Sequence, residues 1–125
     1  MPRILIIDDE ESIRNVLCSL LEDAGYEVME AENGRVGIQQ CRRTPVDLVI
    51  TDIIMPEREG LETIRELRRL YPGMKIFAMT GARISKQLDV LNIAATFGAV
   101  RTFDKPFELV EILRAVQEEV PLIPA

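Results

Sequence analysis

The chain has 125 residues, 47% of them apolar and 29% charged, with a net charge of −6, the make-up of one water-soluble globular domain around a single core. That acidity disfavours direct nucleic-acid binding, which rests on basic contacts to phosphate, and the absence of histidine removes histidine general bases, Ser-His-Asp triads and histidine metal ligands together. The longest apolar runs, such as Ile4–Ile7 and Leu48–Ile50, fall far short of the about 20 residues of a membrane helix, and no signal peptide is evident, so a cytoplasmic location is expected.

In chain order, a β-branched run at Arg3–Ile7 predicts the first strand. A helix is predicted from Glu11 to Ala24, with Ile13, Val16, Leu17, Leu20 and Leu21 forming one stripe and Gly25 placed at its stop. Val28–Ala31 reads as the second strand, and Gly34–Arg42 as a helix of low propensity because of Gly34 and Gly37. The third strand is predicted over Asp47–Thr51; Leu61, Ile64, Leu67 and Leu70 mark a third helix that stops before Pro72-Gly73. Lys75–Thr80 is the fourth strand, Ser85–Phe97 the weakest of the predicted helices, and Val100–Phe103 the fifth strand. Glu108–Glu119 closes the series with Leu109, Ile112, Leu113 and Val116, and residues 120–125, with Pro121 and Pro124, read as a tail outside the 1–119 domain. Cys18 and Cys41 lack CxxC spacing and read as free thiols.

Five βα repeats predict an α/β fold: a doubly wound, five-stranded parallel sheet of flavodoxin-like order 2-1-3-4-5 with five helices, whose ligands bind beyond the carboxyl ends of the strands. On that map Asp8 and Asp9 follow the first strand, Asp52 follows the third, Thr80 ends the fourth and Lys105 follows the fifth. Those four strands are neighbours in the predicted order, so the five side chains converge on one rim.

Crowded carboxylates repel one another unless a cation intervenes. Oxygen ligands without Cys or His suit a hard ion, and an open site with few carboxylates suits Mg²⁺. The Thr80 hydroxyl and the Lys105 ammonium are not needed to hold Mg²⁺; they make sense around the charged oxygens of a phosphoryl group. Asp52, central in the set, is the candidate nucleophile for an aspartyl phosphate. Taken singly, each residue has a plainer reading. Asp8-Asp9 would cap a helix, Asp52 would open a turn ahead of Pro56, Thr80-Gly81 would begin a loop and Lys105 would be a solvated surface lysine. The functional reading rests on all of them meeting at one set of strand ends.

The segments Ile4–Glu10, Asp47–Pro56, Gly60, Met79-Thr80-Gly81 and Asp104-Lys105-Pro106-Phe107 together resemble a response-regulator receiver domain, the phosphorylated half of two-component signalling, over about Arg3 to Glu119. The resemblance implies a phosphorylation-dependent switch with Asp52 as phosphoacceptor, and not a turnover enzyme. It implies Mg²⁺ held directly by Asp9 and Asp52, through water by Asp8, and by the backbone carbonyl of Ile54. Thr80 would bond the phosphoryl oxygens, Lys105 would pair with Asp52 or the phosphate, and the Lys105–Pro106 peptide would be cis. The donor would be a histidine kinase or phosphotransfer protein, or a small phosphodonor; the target would be another protein, with the chain a monomer or a phosphorylation-dependent dimer. Arg101, Asp104, Lys86 and Asp89 are candidate charges for a dimer face.

The position three before Lys105, where this family usually carries an aromatic switch residue, holds Thr102, and Phe103 beside it should face the other side of its strand. Phosphorylation is therefore expected without the usual aromatic coupling. Apolar Ile54 and Ala82 stand where the resemblance places the flanks of the hydrolytic water, so slow self-dephosphorylation is expected. A relay intermediate returning its phosphoryl group to another protein's histidine is the alternative role. A haloacid-dehalogenase-like phosphohydrolase is disfavoured because no second Asp lies two residues after Asp52, and a flavin carrier because the first loop, Asp8–Glu11, is acidic.

Overall fold

The computed structural model describes residues 1–53, 59–81 and 98–122. Its elements run β1 (Arg3–Ile7), α1 (Glu11–Asp23), β2 (Glu27–Ala31), α2 (Gly34–Arg43), β3 (Leu48–Asp52), α3 (Glu59–Leu70), β4 (Lys75–Gly81), β5 (Arg101–Lys105) and α4 (Leu109–Glu119). The predicted Ser85–Phe97 helix lies outside the described residues, as do Ile54, Ala82, Lys86 and Asp89. Among the described residues there are thus four helices, and α4 is the one predicted over Glu108–Glu119.

All strand pairs are parallel and the order is β2-β1-β3-β4-β5, as expected. Strand alternation divides the core into two layers. Leu5, Ile7, Val49, Ile76 and Ala78 face Cys41 of α2 and Ile64 and Leu67 of α3. Ile4, Ile6, Leu48, Ile50, Phe77 and Met79 face Leu17 and Leu21 of α1 and Ile112, Ala115 and Val116 of α4.

Two strands extend further than their apolar runs. Asp52 is the last residue of β3, in register with Met79, and Lys105 is the last of β5, in register with Gly81. Both site residues are therefore set by the sheet ladder and not by the loops that follow. Two stripe residues also differ: Val16 is 47% exposed and Leu109 38%, because each falls at the margin of the arc that its helix turns to the sheet.

The α2 glycines, a weakness by propensity, are required by packing. A Cβ at Gly34 would stand 1.8 Å from Thr63 Oγ1, and one at Gly37 would stand 2.4 Å from Ile7 Cδ1. Asn33 caps this helix by accepting from Val36 N–H at 2.9 Å. Gly25 follows α1 with φ +105°, the conformation a glycine best supplies at a helix end. At the far end of the chain the Tyr26 hydroxyl donates to the Val120 carbonyl at 2.8 Å, so the segment after α4 begins docked against the α1–β2 turn.

Candidate functional site

Alternation along the strands decides which polar side chains meet. Asp8 continues the Ile4, Ile6 parity of β1, and Asp52 continues the Leu48, Ile50 parity of β3. Lys105 shares the parity of Phe103, which packs in the same layer. All three are thereby delivered to the α1/α4 side at the carboxyl ends of their strands. Thr80 shares the parity of Ala78, one strand over, on the α2/α3 side.

The structure joins Asp8, Asp52 and Lys105 by short bonds. Lys105 Nζ lies 2.9 Å from Asp8 Oδ2 and 3.0 Å from Asp52 Oδ2, and its side chain is only 15% exposed. Asp8 is fully buried and Asp52 nearly so, whereas Asp9 is exposed. Carboxylate oxygens of Asp8, Asp9, Glu10 and Asp52 all lie within 4.8 Å of one another. This oxygen-only cluster fits a hard divalent cation such as Mg²⁺. Neither aspartate of the pair serves as the side-chain cap of α1. Its N-cap is Glu10, which makes no side-chain cap bond, and Asp8 Oδ1 accepts from the Glu10 N–H at 2.8 Å.

Burial pushes the Asp8 carboxyl above the usual carboxylate range, and the neighbouring Asp52 charge adds to this; the Glu10 N–H and the Lys105 ammonium oppose it without cancelling it. For Lys105, burial is the largest single influence and lowers its pKa. The hydrogen bonds and charges of Asp8 and Asp52 together outweigh it, and the net direction is upward. The ammonium is therefore charged throughout the physiological range. Thr80 is fully buried, and its hydroxyl finds no hydrogen-bond partner among the described residues, a costly condition for a buried polar group.

Two contributors escaped the sequence reading. Arg14 donates from Nη1 to the Asp8 carbonyl at 2.7 Å and from Nε to Glu30 Oε1 at 2.9 Å. With the Asp8 N–H bonded to the Ala31 carbonyl at 3.1 Å, the Asp8 backbone is held from both sides. Glu10 is the second: its Oε1 lies 3.7 Å from Lys105 Nζ. Arg14 sits on an amphipathic helix where an arginine ordinarily reads as a solvated face, so only its four-residue distance from Glu10 hinted at a role. The Lys105–Pro106 peptide is cis, as expected.

A family model described as the response regulator receiver domain matches residues 4–117. The chain belongs to that family. It is 30% identical to sporulation initiation phosphotransferase F of Bacillus subtilis, over 96% of this chain and 94% of that protein. With the chemotaxis protein CheY of Thermotoga maritima it shares 33% identity over 93% and 95%. The crystal structure of the response regulator TrrA from Thermotoga maritima, in complex with Mg²⁺-BeF, superposes with a TM-score of 0.82 at 33% identity, covering 96% of this chain and all of that one. The protein is accordingly a phosphorylation-dependent switch of two-component signalling.

Proposed function

We propose that Asp52 is the phosphoacceptor of this receiver domain, in a pocket where Asp8, Asp9 and Asp52 hold Mg²⁺. The observation that carries this reading is the Lys105 ammonium at 3.0 Å from Asp52 and 2.9 Å from Asp8, which ties three strand ends into one acidic site. Both Asp8 oxygens are already engaged, by the Glu10 N–H and by Lys105. That favours contact with the ion through water for Asp8 and direct contact for exposed Asp9. The Ile54 carbonyl, a further ligand by resemblance, lies outside the described residues. Bound Mg²⁺ would neutralise charge on the transferred phosphoryl oxygens.

In the transfer a carboxylate oxygen of Asp52 bonds to phosphorus as the P–N bond of the donor phosphohistidine breaks. Lys105 remains paired with the new phosphoryl group, and the Thr80 hydroxyl donates to one of its oxygens. The pocket is self-sufficient for this step, so the domain catalyses its own modification without being a turnover enzyme. The donor is a histidine kinase or phosphotransfer protein and the target a further protein, with the cytoplasm as the place of action. Among the described residues no helix is long and apolar enough to cross a membrane.

Incubation with acetyl phosphate and Mg²⁺, followed by intact mass, tests the assignment: one phosphoryl group is expected on the native chain and none on Asp52→Asn. An equally modified Asp52→Asn would end it. The likeness to a sporulation phosphotransferase favours a second role as relay intermediate, which back-transfer to a purified phosphotransfer domain would reveal.

A further inference from the structure

Glu10 occupies the N-cap of α1, yet its carboxylate caps nothing. Its backbone N–H is fixed by Asp8 Oδ1 at 2.8 Å, in an extended conformation with φ −92° and ψ 114°. That anchoring leaves the side chain on the solvent side of the carboxylate cluster. There its Oε1 approaches Lys105 to 3.7 Å while the side chain remains 58% exposed. The Asp8 and Asp52 carboxylates are buried, whereas the Glu10 carboxylate of the same cluster is exposed to solvent. At the end of β4 the fully buried Thr80 hydroxyl lacks a partner among the described residues.

We propose that Glu10 sets the charge selectivity of the pocket: it draws in the divalent cation and repels dianionic phosphodonors relative to donors of lower net charge. The inference rests on the reading of Asp52 as acceptor. Coulomb's law gives both halves, since one carboxylate attracts the cation and opposes the donor's negative charge at similar range. Glu10 also shares the Lys105 ammonium with Asp8 and Asp52. Removing its charge leaves that ammonium freer to meet the incoming oxygens. Glu11 is the internal control: it starts the same helix and is exposed, but it is outside the four-carboxylate cluster.

Two small donors separate the effect from a general change in reactivity. Acetyl phosphate is a dianion at neutral pH; phosphoramidate, with a protonated nitrogen, is a net monoanion. In either transfer an Asp52 oxygen bonds to phosphorus as the bond to the leaving group breaks. Acetate departs from the first, and ammonia, whose nitrogen already holds its proton, from the second.

Rates for native, Glu10→Gln, Glu10→Lys and Glu11→Gln chains are measured with both donors at saturating Mg²⁺, and Mg²⁺ affinity by calorimetry without donor. The ratio of the acetyl phosphate rate to the phosphoramidate rate should rise about threefold in Glu10→Gln and further in Glu10→Lys, the scale of one unit charge at a partly solvated position. It should fall back at high salt and stay unchanged in Glu11→Gln. Mg²⁺ binding should weaken in the same order. Equal changes with both donors, a matching shift in Glu11→Gln, or Mg²⁺ affinity indifferent to Glu10 overturns the Glu10 proposal alone. Phosphorylation that persists in Asp52→Asn overturns the acceptor assignment as well.

Discussion

The rings of Phe77 and Phe103 stand 5.5 Å apart, tilted by 53°, and this pair holds Phe103 in the α1/α4 layer. Thr102 lies in register with Ala78, and Asp104 with Thr80. The position facing Thr80's side of the sheet therefore carries a threonine, and the neighbouring aromatic is committed elsewhere. Binding of Mg²⁺ and beryllofluoride should leave the Phe77–Phe103 contact intact, as read from ring cross-peaks by NMR. A Phe103 ring found beside Thr80 would overturn this. Phe103→Ala should cost about 2 kcal/mol of stability from lost packing and leave phosphorylation by acetyl phosphate in place.

A metal-free pocket should be strained by its own charge. Burial raises the Asp8 pKa, so between its unfolded and folded pKa values the folded state binds the extra proton. Stability then falls as pH rises through that window, and the full penalty persists above it. Asp8→Asn should raise the melting temperature of the metal-free protein at pH 7 by about 4 °C, roughly 1 kcal/mol, and remove the loss of stability with rising pH across that window. Thermal melts across pH in EDTA would show it; a lower melting point for the variant contradicts it.

Mg²⁺ should reverse that ranking. A ligand bound only by the folded state stabilises by about 2.7 kcal/mol at a hundredfold excess over its dissociation constant. The native chain should gain this with Mg²⁺, and Asp9→Ala should gain little. Equal Mg²⁺-induced shifts in both proteins would remove Asp9 from the ligand set.

Much of this was readable in advance, for a physical reason. Apolar runs such as Ile4–Ile7 and Leu48–Ile50 are buried on both faces, and continuous burial leaves a plain pattern. The convergence of Asp8, Asp52 and Lys105 followed from strand order alone. Strand ends were less readable: Asp52 and Lys105 break the apolar run, although the ladder continues through them to Met79 and Gly81. Arg14 and Glu10 resemble any charges near a helix start until the Asp8 carbonyl and Lys105 are placed beside them. Arg101, a candidate charge for a dimer face, is also paired within the chain, at 2.8 Å to Glu118 and 2.9 Å to Glu119.

The α2 glycines supply a test in which helix propensity and packing oppose each other. Alanine should favour an exposed helix by about 1 kcal/mol over glycine. At Gly34 the added Cβ would collide with the Oγ1 of buried Thr63. Gly34→Ala should therefore destabilise by about 1–3 kcal/mol in denaturant unfolding, more than Gly37→Ala, where the obstacle is the movable end of Ile7.

Both thiols should be sluggish. Burial, aided by the Glu30 charge, pushes Cys18 up to about 12, and burial pushes Cys41 up to about 11. Since the thiolate is the reactive form, neither should label rapidly with iodoacetamide at pH 8 in the native protein, and both should label once it is unfolded. Fast native labelling of Cys41 would contradict its burial.

Lys105 ends a border strand that is hydrogen-bonded to β4 alone, but its ammonium reaches past β4 to carboxylates on β3 and beyond β1. The margin of the sheet is thus moored to its centre through the Lys105 ammonium. Whatever alters the charge at Asp52 changes the pull on that mooring, and with it the hold on the border strand.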